Sequence, residues 1–274
     1  MGEEKTEAVY THGHHPSVLR SHSWRTVANS AEYLIKYLKP DMYILDVGCG
    51  PGTISIDLAA NYVSQGKVLA TDYAEDVLKT AKASADEQRI KNIEFETADI
   101  HNLHYPDNTF DVVHAHQVLQ HITDPVKALQ EMLRVVKPGG FVAARDTDYE
   151  SFEWYPDIDG MDFWKQKYLE VARANGGDPL IGKYLHAVAR RAGYDHDRLE
   201  TTAGVWCYTS KKEVAWWSDL WAERTLKSSF ATTAKTNNIA TQEDLERIAK
   251  AWENWGKSQD PRFILVHGQI VYQK

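Results

Sequence analysis

The segment Tyr43-Ile44-Leu45-Asp46-Val47-Gly48-Cys49-Gly50-Pro51-Gly52-Thr53 decides the fold of this chain. Its apolar run ends at an aspartate, three glycines then occupy alternate positions, and the residues that follow are typical of a helix start. This pattern predicts a buried parallel strand whose turn a nucleotide-like ligand can approach at backbone distance. Glycine suits such a turn because it lacks a Cβ and readily adopts positive φ.

The spacing of the glycines distinguishes between nucleotide-like cofactors. Dinucleotide-binding folds use Gly-x-Gly-x-x-Gly, in which the last glycine allows close helix packing and the helix N-terminus faces a pyrophosphate. In this chain the third glycine, Gly52, comes one residue earlier, and Asp46 stands just before Gly48. S-adenosylmethionine (SAM) has no phosphate, but it carries a methionine ammonium that favours a nearby carboxylate.

Residues 46–52 resemble the first motif of class I SAM-dependent methyltransferases, in their UbiE-like (ubiquinone/menaquinone-biosynthesis) branch. Four further segments resemble this family in the same order along the chain. They are residues 68–72, 93–100, 110–121 and 134–142. Asp72 lies at the tip of the predicted second strand, where a carboxylate can accept both ribose hydroxyls. In the family, an acid at the position of Asp99 receives the adenine amino group, and its neighbour Ile100 packs on the ring.

The resemblance implies a set of cofactor contacts. They are Asp46, Gly48, Gly50, Gly52, Thr53, Asp72, Tyr73, Asp99, Ile100, His116, Gln117 and Tyr10. It also implies an α/β fold with a doubly wound, mostly parallel seven-stranded sheet, an N-terminal helical cap and a C-terminal helical insertion. Alternating strands and helices up to about residue 146 favour the same architecture. We expect one methyltransferase domain over 1–274, with a lid in 1–39, the SAM-binding core in 40–146 and acceptor-side helices and final strands in 147–274.

Periodicity and capping signals predict the remaining elements. Apolar residues at helical spacing, followed by Pro40, predict a helix over 17–39. The fifth strand is expected to end near residue 146. Further helices are expected over 159–174, 179–192 (with Asp178 as its cap), 210–227 (with a capping box from Ser210 to Glu213) and 241–255. Strands are expected over 198–208 and 263–272.

Composition narrows the classes of function. The 274 residues carry a formal net charge of −8 and no long basic run, which does not favour a nucleic-acid partner. Only two cysteines occur, as in proteins of a reducing compartment. Residues 1–9 are too charged for a signal peptide, and no apolar run approaches the ~18 residues of a membrane span. We therefore expect a cytoplasmic protein, and the sequence does not predict its oligomeric state.

Eight of the nine tryptophans lie after residue 150. One hypothesis is that these rings attach the additional helices to the sheet. The other is that some of them line a pocket for an apolar or aromatic acceptor. Trp154 and Trp206 are the candidates for acceptor contacts, and the two hypotheses are compatible for different residues.

The candidate catalytic residues follow two predicted strands. Methyl transfer from a sulfonium mainly requires an acceptor held in line and water kept out, and a base only if the acceptor must lose a proton. His116 follows the fourth strand, and Asp146 and Asp148 are expected beyond the fifth strand at the same edge. Asp146 is a candidate base, Asp148 a candidate acceptor contact, and a solvated acidic turn is the alternative for both. His121 is expected to cap or brace its helix.

The N-terminal segment contains Tyr10, His12, His14 and His15. Closely spaced histidines suggest a metal, but zinc sites normally add Cys, Asp or Glu at set spacing, and we expect no metal. We expect Tyr10 and His14 to fold over SAM and the acceptor, with a histidine available as a base near neutral pH. Solvated loop histidines are the alternative.

Three other functions are compatible with parts of this pattern. A nicotinamide oxidoreductase is disfavoured because the glycine spacing differs and a Tyr-x-x-x-Lys pair occurs only at Tyr208 and Lys212. A nucleic-acid methyltransferase is disfavoured by the acidic charge and by the absence of an Asn/Asp-Pro-Pro-Tyr motif at 116–119. A SAM-binding module without catalysis is the third. We expect methyl transfer to the O, N, S or C atom of an apolar or aromatic small molecule, with S-adenosylhomocysteine as product, and no motif after residue 150 indicates a quinone.

Overall fold

A computed structural model of the protein describes residues 16–274, with side chains from residue 20 onward. Within these residues, seven strands form one sheet. The strands are β1 (Tyr43–Val47), β2 (Lys67–Asp72), β3 (Ile93–Thr97), β4 (Phe110–His116), β5 (Val136–Tyr155), β6 (Leu199–Tyr208) and β7 (Arg262–Gln273). Their order across the sheet is β3-β2-β1-β4-β5-β7-β6.

The sheet is mostly parallel, because β1 pairs in parallel with β2 and β4, and the outer pairs β2–β3 and β4–β5 are parallel too. Only β7 runs the other way, between β5 and β6. The strand order changes direction between β1 and β4, and open α/β sheets bind ligands at this point, beyond the carboxyl ends of the strands. The predicted doubly wound, seven-stranded fold is confirmed.

Alternating side chains of the central strands fill two apolar layers, one on each face of the sheet. Ile44 of β1 lies beside Val112 of β4, and both belong to one buried cluster. Leu45 and Val113, one residue further along, belong to the cluster on the opposite face. Because successive side chains of a strand point to opposite faces, a strand buried on both faces is apolar nearly throughout.

Eleven α-helices lie in the described part of the chain. They are α1 (Pro16–Ser23), α2 (Val27–Ser30), α3 (Glu32–Ile35), α4 (Thr53–Asp57), α5 (Glu75–Glu87), α6 (Pro125–Val135), α7 (Met161–Ala174), α8 (Ile181–Arg191), α9 (Lys211–Lys227), α10 (Ser229–Thr236) and α11 (Gln242–Gly256). A π-helical turn, Leu58–Tyr62, continues α4, and 3₁₀ turns occupy Leu119–His121 and His196–Arg198. Over residues 16–274, no helix has the length and apolar character needed to cross a bilayer.

The helix predicted over 17–39 is wrong in its continuity, because three short helices occupy this stretch. Helix α1 ends at Ser23, and Thr26, with extended backbone, begins α2 through a capping box with Asn29. The Val27 amide donates to the Asp57 carboxylate at 2.7 Å, which ties this new helix start to α4. A side-chain cap and a tertiary hydrogen bond therefore override the helical spacing of the apolar residues.

The fifth strand also differs from its prediction, since β5 continues to Tyr155. Its later part pairs with β7, as in the register of Trp154 with Phe263, after an irregularity between Asp148 and Glu153. In addition, α8 begins at Ile181 rather than 179, its N-cap is Leu180, and Asp178 accepts the Leu180 amide from outside the helix. Helix α10 was not predicted, whereas α9 begins with the capping box expected at Ser210 and Glu213. Helix α11 was expected over 241–255, and its capping box at Thr241 and Asp244 was not predicted.

Most of the late tryptophans form a third core between β5, β7 and the helices α7, α9 and α11. Trp164, Trp252 and Trp255 are fully buried there. The Trp252 ring lies 4.7 Å from that of Trp164 and 5.5 Å from that of Trp221, in edge-to-face and stacked arrangements. The hypothesis that tryptophans attach the added helices to the sheet is therefore correct for these residues.

Replacing Trp252 with alanine should lower the free energy of unfolding by about 3–5 kcal/mol, because it leaves a large cavity in this core. Urea unfolding followed by circular dichroism measures the change without depending on indole fluorescence. Leu226→Ala is the control, since Leu226 lies on α9 with 37% of its surface exposed and should cost less than about 1 kcal/mol. Equal losses in the two variants would contradict the proposed importance of the tryptophan core.

Candidate functional site

The turn between β1 and α4 is held in an unusual backbone conformation. Gly48, Gly50 and Gly52 have φ values of 70°, 55° and 77°, all in the left-handed region that favours glycine. The Cys49 amide donates to the Thr71 carbonyl at 2.8 Å, which fixes the turn against the end of β2. The turn therefore presents backbone rather than side chains to the space above the sheet edge.

A cavity of about 240 Å³, the large cavity, lies above this turn at the carboxyl ends of β1, β2 and β4. Ten of the residues predicted to contact the cofactor line it. They are Asp46, Gly48, Gly50, Thr53, Asp72, Tyr73, Asp99, Ile100, His116 and Gln117. The first, second and third segments of the sequence motif therefore converge on one space, at the point where ligands bind open α/β sheets.

Two of the predicted cofactor contacts are not placed at the cavity. Gly52 does not line it, because this glycine instead allows the turn to approach α5. A Cβ on Gly52 would lie 2.8 Å from the Cβ of Ala81, closer than real Cβ contacts allow. Tyr10 lies outside the described residues, as does His14, and neither prediction is tested.

Asp46 lines the large cavity, but its carboxylate is engaged in a buried network. Oδ1 lies 2.7 Å from Nδ1 of His114, and Oδ2 accepts the Ser55 hydroxyl. The His114 side chain is fully buried, and the Asp46 side chain is almost completely buried. The two partners, His114 and Ser55, fix the orientation of the carboxylate. Each of its oxygens retains a second lone pair, so it can still accept a hydrogen bond from an ammonium.

Asp72 is the acid whose position fits ribose recognition. Its Oδ2 accepts the Gly50 amide at 2.9 Å, and its Oδ1 accepts the Ala74 amide at 3.0 Å. These two hydrogen bonds orient the carboxylate towards the large cavity before any ligand is bound. Asp99 lies at the same cavity with 38% of its side chain exposed, beside His101, and Tyr73 lies at the rim with 53% exposed.

His116 is buried at the boundary of the large cavity. Its ring stacks on that of Trp206, with 5.9 Å between the centroids and 25° between the planes. Neither ring nitrogen has a hydrogen-bond partner among the described residues. Burial, and then the guanidinium groups of Arg25 and Arg145, hold the His116 pKa well below its usual value. The imidazole is therefore neutral at neutral pH and offers one donor and one acceptor.

Gln117 joins several elements around the site. Its backbone has a φ of 55°. Its side-chain nitrogen, Nε2, donates to the Thr147 hydroxyl at 2.9 Å and contacts Nε2 of His267 at 3.1 Å. Its side-chain oxygen accepts from Arg25, which lies between α1 and α2. The predicted cofactor contact is thus also the link that connects β4 and β5 to the N-terminal helices.

A second cavity of about 30 Å³, the small cavity, adjoins the large one. The two share four lining residues, His22, Arg25, Gln117 and His121. The walls of the small cavity include Trp206, Trp217, Trp221 and Tyr208, together with Arg224. Some late aromatic residues therefore line a cavity, and Trp206, Trp217 and Trp221 among them also belong to the third core. Their contact with an acceptor stays a prediction.

Asp146 is not placed where the sequence predicted. It lies inside β5 rather than beyond it, is fully buried, and lines neither cavity. Its Oδ1 accepts the Gln120 amide at 3.0 Å, and burial raises its pKa to about 8. The pairing of β5 with β7 places this position within the sheet, so a direct base role for Asp146 does not fit the structure.

Two predicted acceptor contacts also lie away from the cavities. Asp148 occupies the irregular part of β5, where its Oδ1 accepts the Glu150 amide. Trp154 packs on Trp164 and Phe263, with ring centroids 6.1 and 6.4 Å away. Trp206 alone of the described acceptor candidates lines the small cavity.

Sequence reasoning missed three residues that line both cavities, His22, Arg25 and His121. His22 and Arg25 lie in and after α1, and the His22 carbonyl accepts the Thr53 hydroxyl at 3.0 Å. His121 was expected to brace a helix, but it ends a 3₁₀ turn beside the site, and burial lowers its pKa to about 3. His121 is the last residue of the family-like segment 110–121, and this position is the only signal that the sequence offers for any of the three. Between residues 16 and 274, no three His, Cys, Asp or Glu side chains are grouped to hold a metal ion.

The fold and the large cavity define a SAM-dependent methyltransferase of class I. Comparison with known families supports this assignment, because the family model described as "Methyltransferase domain" matches residues 38–176, slightly more than half of the chain. The chain belongs to this methyltransferase domain family.

Individual relatives agree at the level of the enzyme class. An uncharacterised methyltransferase of Schizosaccharomyces pombe is 33% identical over 280 residues, which cover 100% of this chain and 99% of that protein. A demethylmenaquinone methyltransferase of Desulfitobacterium hafniense is 34% identical over 58% of this chain and 59% of its own length. The structure of Haemonchus contortus phosphoethanolamine N-methyltransferase 2 with SAM has the same fold, with a TM-score of 0.52 and 15% identity over 86% of this chain and 50% of that chain.

The buried carboxyl of Asp146 should make the stability of the protein depend on pH. The pKa of this group is near 3.9 in an unfolded chain and about 8 in the folded protein. Between these values the folded state retains a proton that the unfolded state has lost, so its stability decreases as the pH rises. In the Asp146→Asn variant this position cannot titrate. The free energy of unfolding of the variant minus that of the unsubstituted protein should therefore increase from pH 5 to pH 8. Urea unfolding of both proteins at these two pH values measures the difference, and a constant difference would contradict the pKa shift.

Proposed function

We propose that the protein transfers the methyl group of SAM to the O, N, S or C atom of an apolar or aromatic small molecule. The observation that supports this is the junction of the two cavities. An acceptor that lies at this junction, with one end near Trp206 and Tyr208, is directly beside the large cavity, because His22 and Gln117 belong to both walls. Aromatic walls suit an apolar or aromatic acceptor and also exclude water.

The large cavity supplies a complete set of contacts for SAM. Asp72 accepts hydrogen bonds from the two ribose hydroxyls, and Asp99 accepts one from the adenine amino group beside Ile100. Asp46 attracts the methionine ammonium, and the glycine turn lets the backbone approach the ligand. The positive φ of Gly48 and Gly50 and the preoriented Asp72 carboxylate support these roles. Three carboxylates line the cavity around the glycine turn. Negative charges favour SAM, which carries an ammonium and a sulfonium, over a nucleotide that carries phosphates.

When bound, SAM supplies a methyl group that is activated by a sulfonium. An electron pair of the acceptor, a lone pair on O, N or S or a π pair or carbanion pair at C, would form the new bond to the methyl carbon while the carbon–sulfur bond broke and sulfur kept that bonding pair. Any proton that the acceptor atom lost would pass to solvent. The residues of the chain hold the acceptor atom in line and keep the junction dry. Gln117 is held from three sides by Arg25, Thr147 and His267, so it provides a rigid wall at this point.

His116 is the residue that we place nearest to the reacting atoms. Its side chain is buried, stacks on Trp206 and keeps both ring nitrogens without a partner among the described residues. A strongly lowered pKa makes the neutral ring a weak base at neutral pH. We therefore assign it the role of accepting a hydrogen bond from the acceptor and orienting it, and we assign no base role to Asp146.

Replacing Asp72 with alanine should weaken SAM binding by at least ~1 kcal/mol, the scale of a hydrogen bond to a charged group. Isothermal titration calorimetry with SAM and with S-adenosylhomocysteine measures the change. Asp86→Ala is the matched control, because Asp86 is an exposed acid on α5 and its removal should leave both affinities unchanged. Unchanged affinity of the Asp72 variant would refute the ribose assignment.

Transfer itself is tested by incubating the protein with SAM labelled in the methyl group and a set of aromatic and apolar small molecules. Label in an organic product, absent with Asp72→Ala at the same SAM concentration, supports the proposed function. SAM binding without transfer to any of them would instead favour a binding module without catalysis.

A further inference from the structure

The small cavity has its own chemical character, which is more specific than an aromatic wall. Its volume of about 30 Å³ holds about two water-sized atoms. Such a space is too small for the body of an acceptor. It fits one small group at the end of an acceptor whose remaining atoms lie at the junction with the large cavity.

Two guanidinium groups line the small cavity. Arg224 is buried on α9, lies 4.6 Å from the centroid of the Trp221 ring and donates to the Ser21 hydroxyl at 2.8 Å. Arg25 lies 5.8 Å from the centroid of the Trp206 ring. The described lining of this cavity contains no aspartate or glutamate. Arginines that pack on aromatic rings keep their planes fixed, and this arrangement suits bidentate recognition of a planar anion.

Two neutral donors with no assigned partner add to this positive character. The Tyr208 hydroxyl and the Trp217 indole nitrogen are buried, and neither has a hydrogen-bond partner among residues 16–274. Both side chains line the small cavity. An indole N–H can only donate, and burial raises the Tyr208 pKa so that its hydroxyl keeps its proton. Buried donors without partners cost free energy unless a ligand supplies an acceptor.

We infer that the methyl acceptor carries a carboxylate, which occupies the small cavity and is held by Arg25, Arg224, Tyr208 and Trp217. Its two oxygens match the available volume, and they accept hydrogen bonds from two guanidinium groups and an indole N–H, which can only donate, and from the protonated Tyr208 hydroxyl. The carboxylate anchors the acceptor, so the methyl group goes to another atom, nearer to His116. This inference rests on the proposed methyl transfer and adds the substrate class: an aromatic or apolar carboxylic acid.

Matched pairs of probes test the requirement for a carboxylate. The protein is saturated with S-adenosylhomocysteine and titrated by calorimetry with phenylacetate and phenylacetamide, indole-3-acetate and indole-3-acetamide, and cinnamate and cinnamamide. Each pair has one carbon skeleton and differs in the terminal group, a charged carboxylate with two acceptor oxygens or a neutral amide with one. We expect at least one carboxylate to bind, and each one that binds to do so at least tenfold more tightly than its amide.

Substitutions then locate the binding site. Arg224→Met should weaken binding of the carboxylates at least tenfold, while the affinity for S-adenosylhomocysteine changes less than twofold. Arg190→Met is the matched control, because Arg190 is exposed on α8 and its removal should change neither affinity. Since the loss of buried Arg224 also removes packing on Trp221, Tyr208→Phe provides a second test that deletes one oxygen. It should weaken the carboxylates about threefold or more and the amides by less, because a hydrogen bond to a charged acceptor is the stronger one.

The possible outcomes separate this inference from the proposed function. Binding of the amides as tight as that of the carboxylates, or binding of none of the carboxylates, would overturn the inference. So would carboxylate binding that neither Arg224→Met nor Tyr208→Phe weakens. In each of these cases normal S-adenosylhomocysteine binding leaves the proposed function intact, whereas failure to bind S-adenosylhomocysteine would contradict the proposed function itself.

Discussion

The hydrogen bond from the Gly50 amide to the Asp72 carboxylate is the interaction on which the site depends. It joins the glycine turn after β1 to the tip of β2 across 2.9 Å, and the Ala74 amide holds the same carboxylate from its other side. The turn can reach this position because Gly48 and Gly50 have positive φ, which costs most other residues free energy. The shape of the large cavity therefore follows from backbone geometry that exists before a ligand arrives.

Local patterns predict the elements that surround this interaction and fail where long-range pairing decides the structure. Strands β1, β2 and β4 are short apolar runs with turn residues after them, so each carries its own signal. The extension of β5 to Tyr155 depends on pairing with β7, more than a hundred residues later, and nothing near Asp146 indicates it. Likewise, the break at Thr26 depends partly on Asp57 receiving the Val27 amide, a contact that helical spacing does not reveal.

The two halves of the site differ in the same way. The donor half is formed by short segments at the ends of successive strands, so motifs within those segments identify Asp46, Asp72 and Asp99. The acceptor half is assembled from elements that are distant in sequence, as the hydrogen bond between Ser21 of α1 and Arg224 of α9 illustrates. No spacing relates such residues. Nor does the sequence indicate that Trp217 and Trp221 line the small cavity while Trp164 and Trp252, in the same core, do not.

The charge at the site cannot be inferred from the charge of the chain. The protein has a net charge of −8, yet Arg145 and Arg224 are buried beside the cavities. Burial lowers the Arg145 pKa only to about 10, so it remains a cation at neutral pH, held by the Asn29 and Ser30 carbonyls. Burial is the main reason that the pKa values of His116 and His267 are lowered, and the positive charge of Arg145 lowers them further. Both imidazoles are therefore neutral at neutral pH. Arginine suits this site because it keeps its charge when buried, whereas a buried lysine could lose its charge. The arginines therefore supply permanent positive charge, and the neutral imidazoles supply hydrogen-bond donors and acceptors.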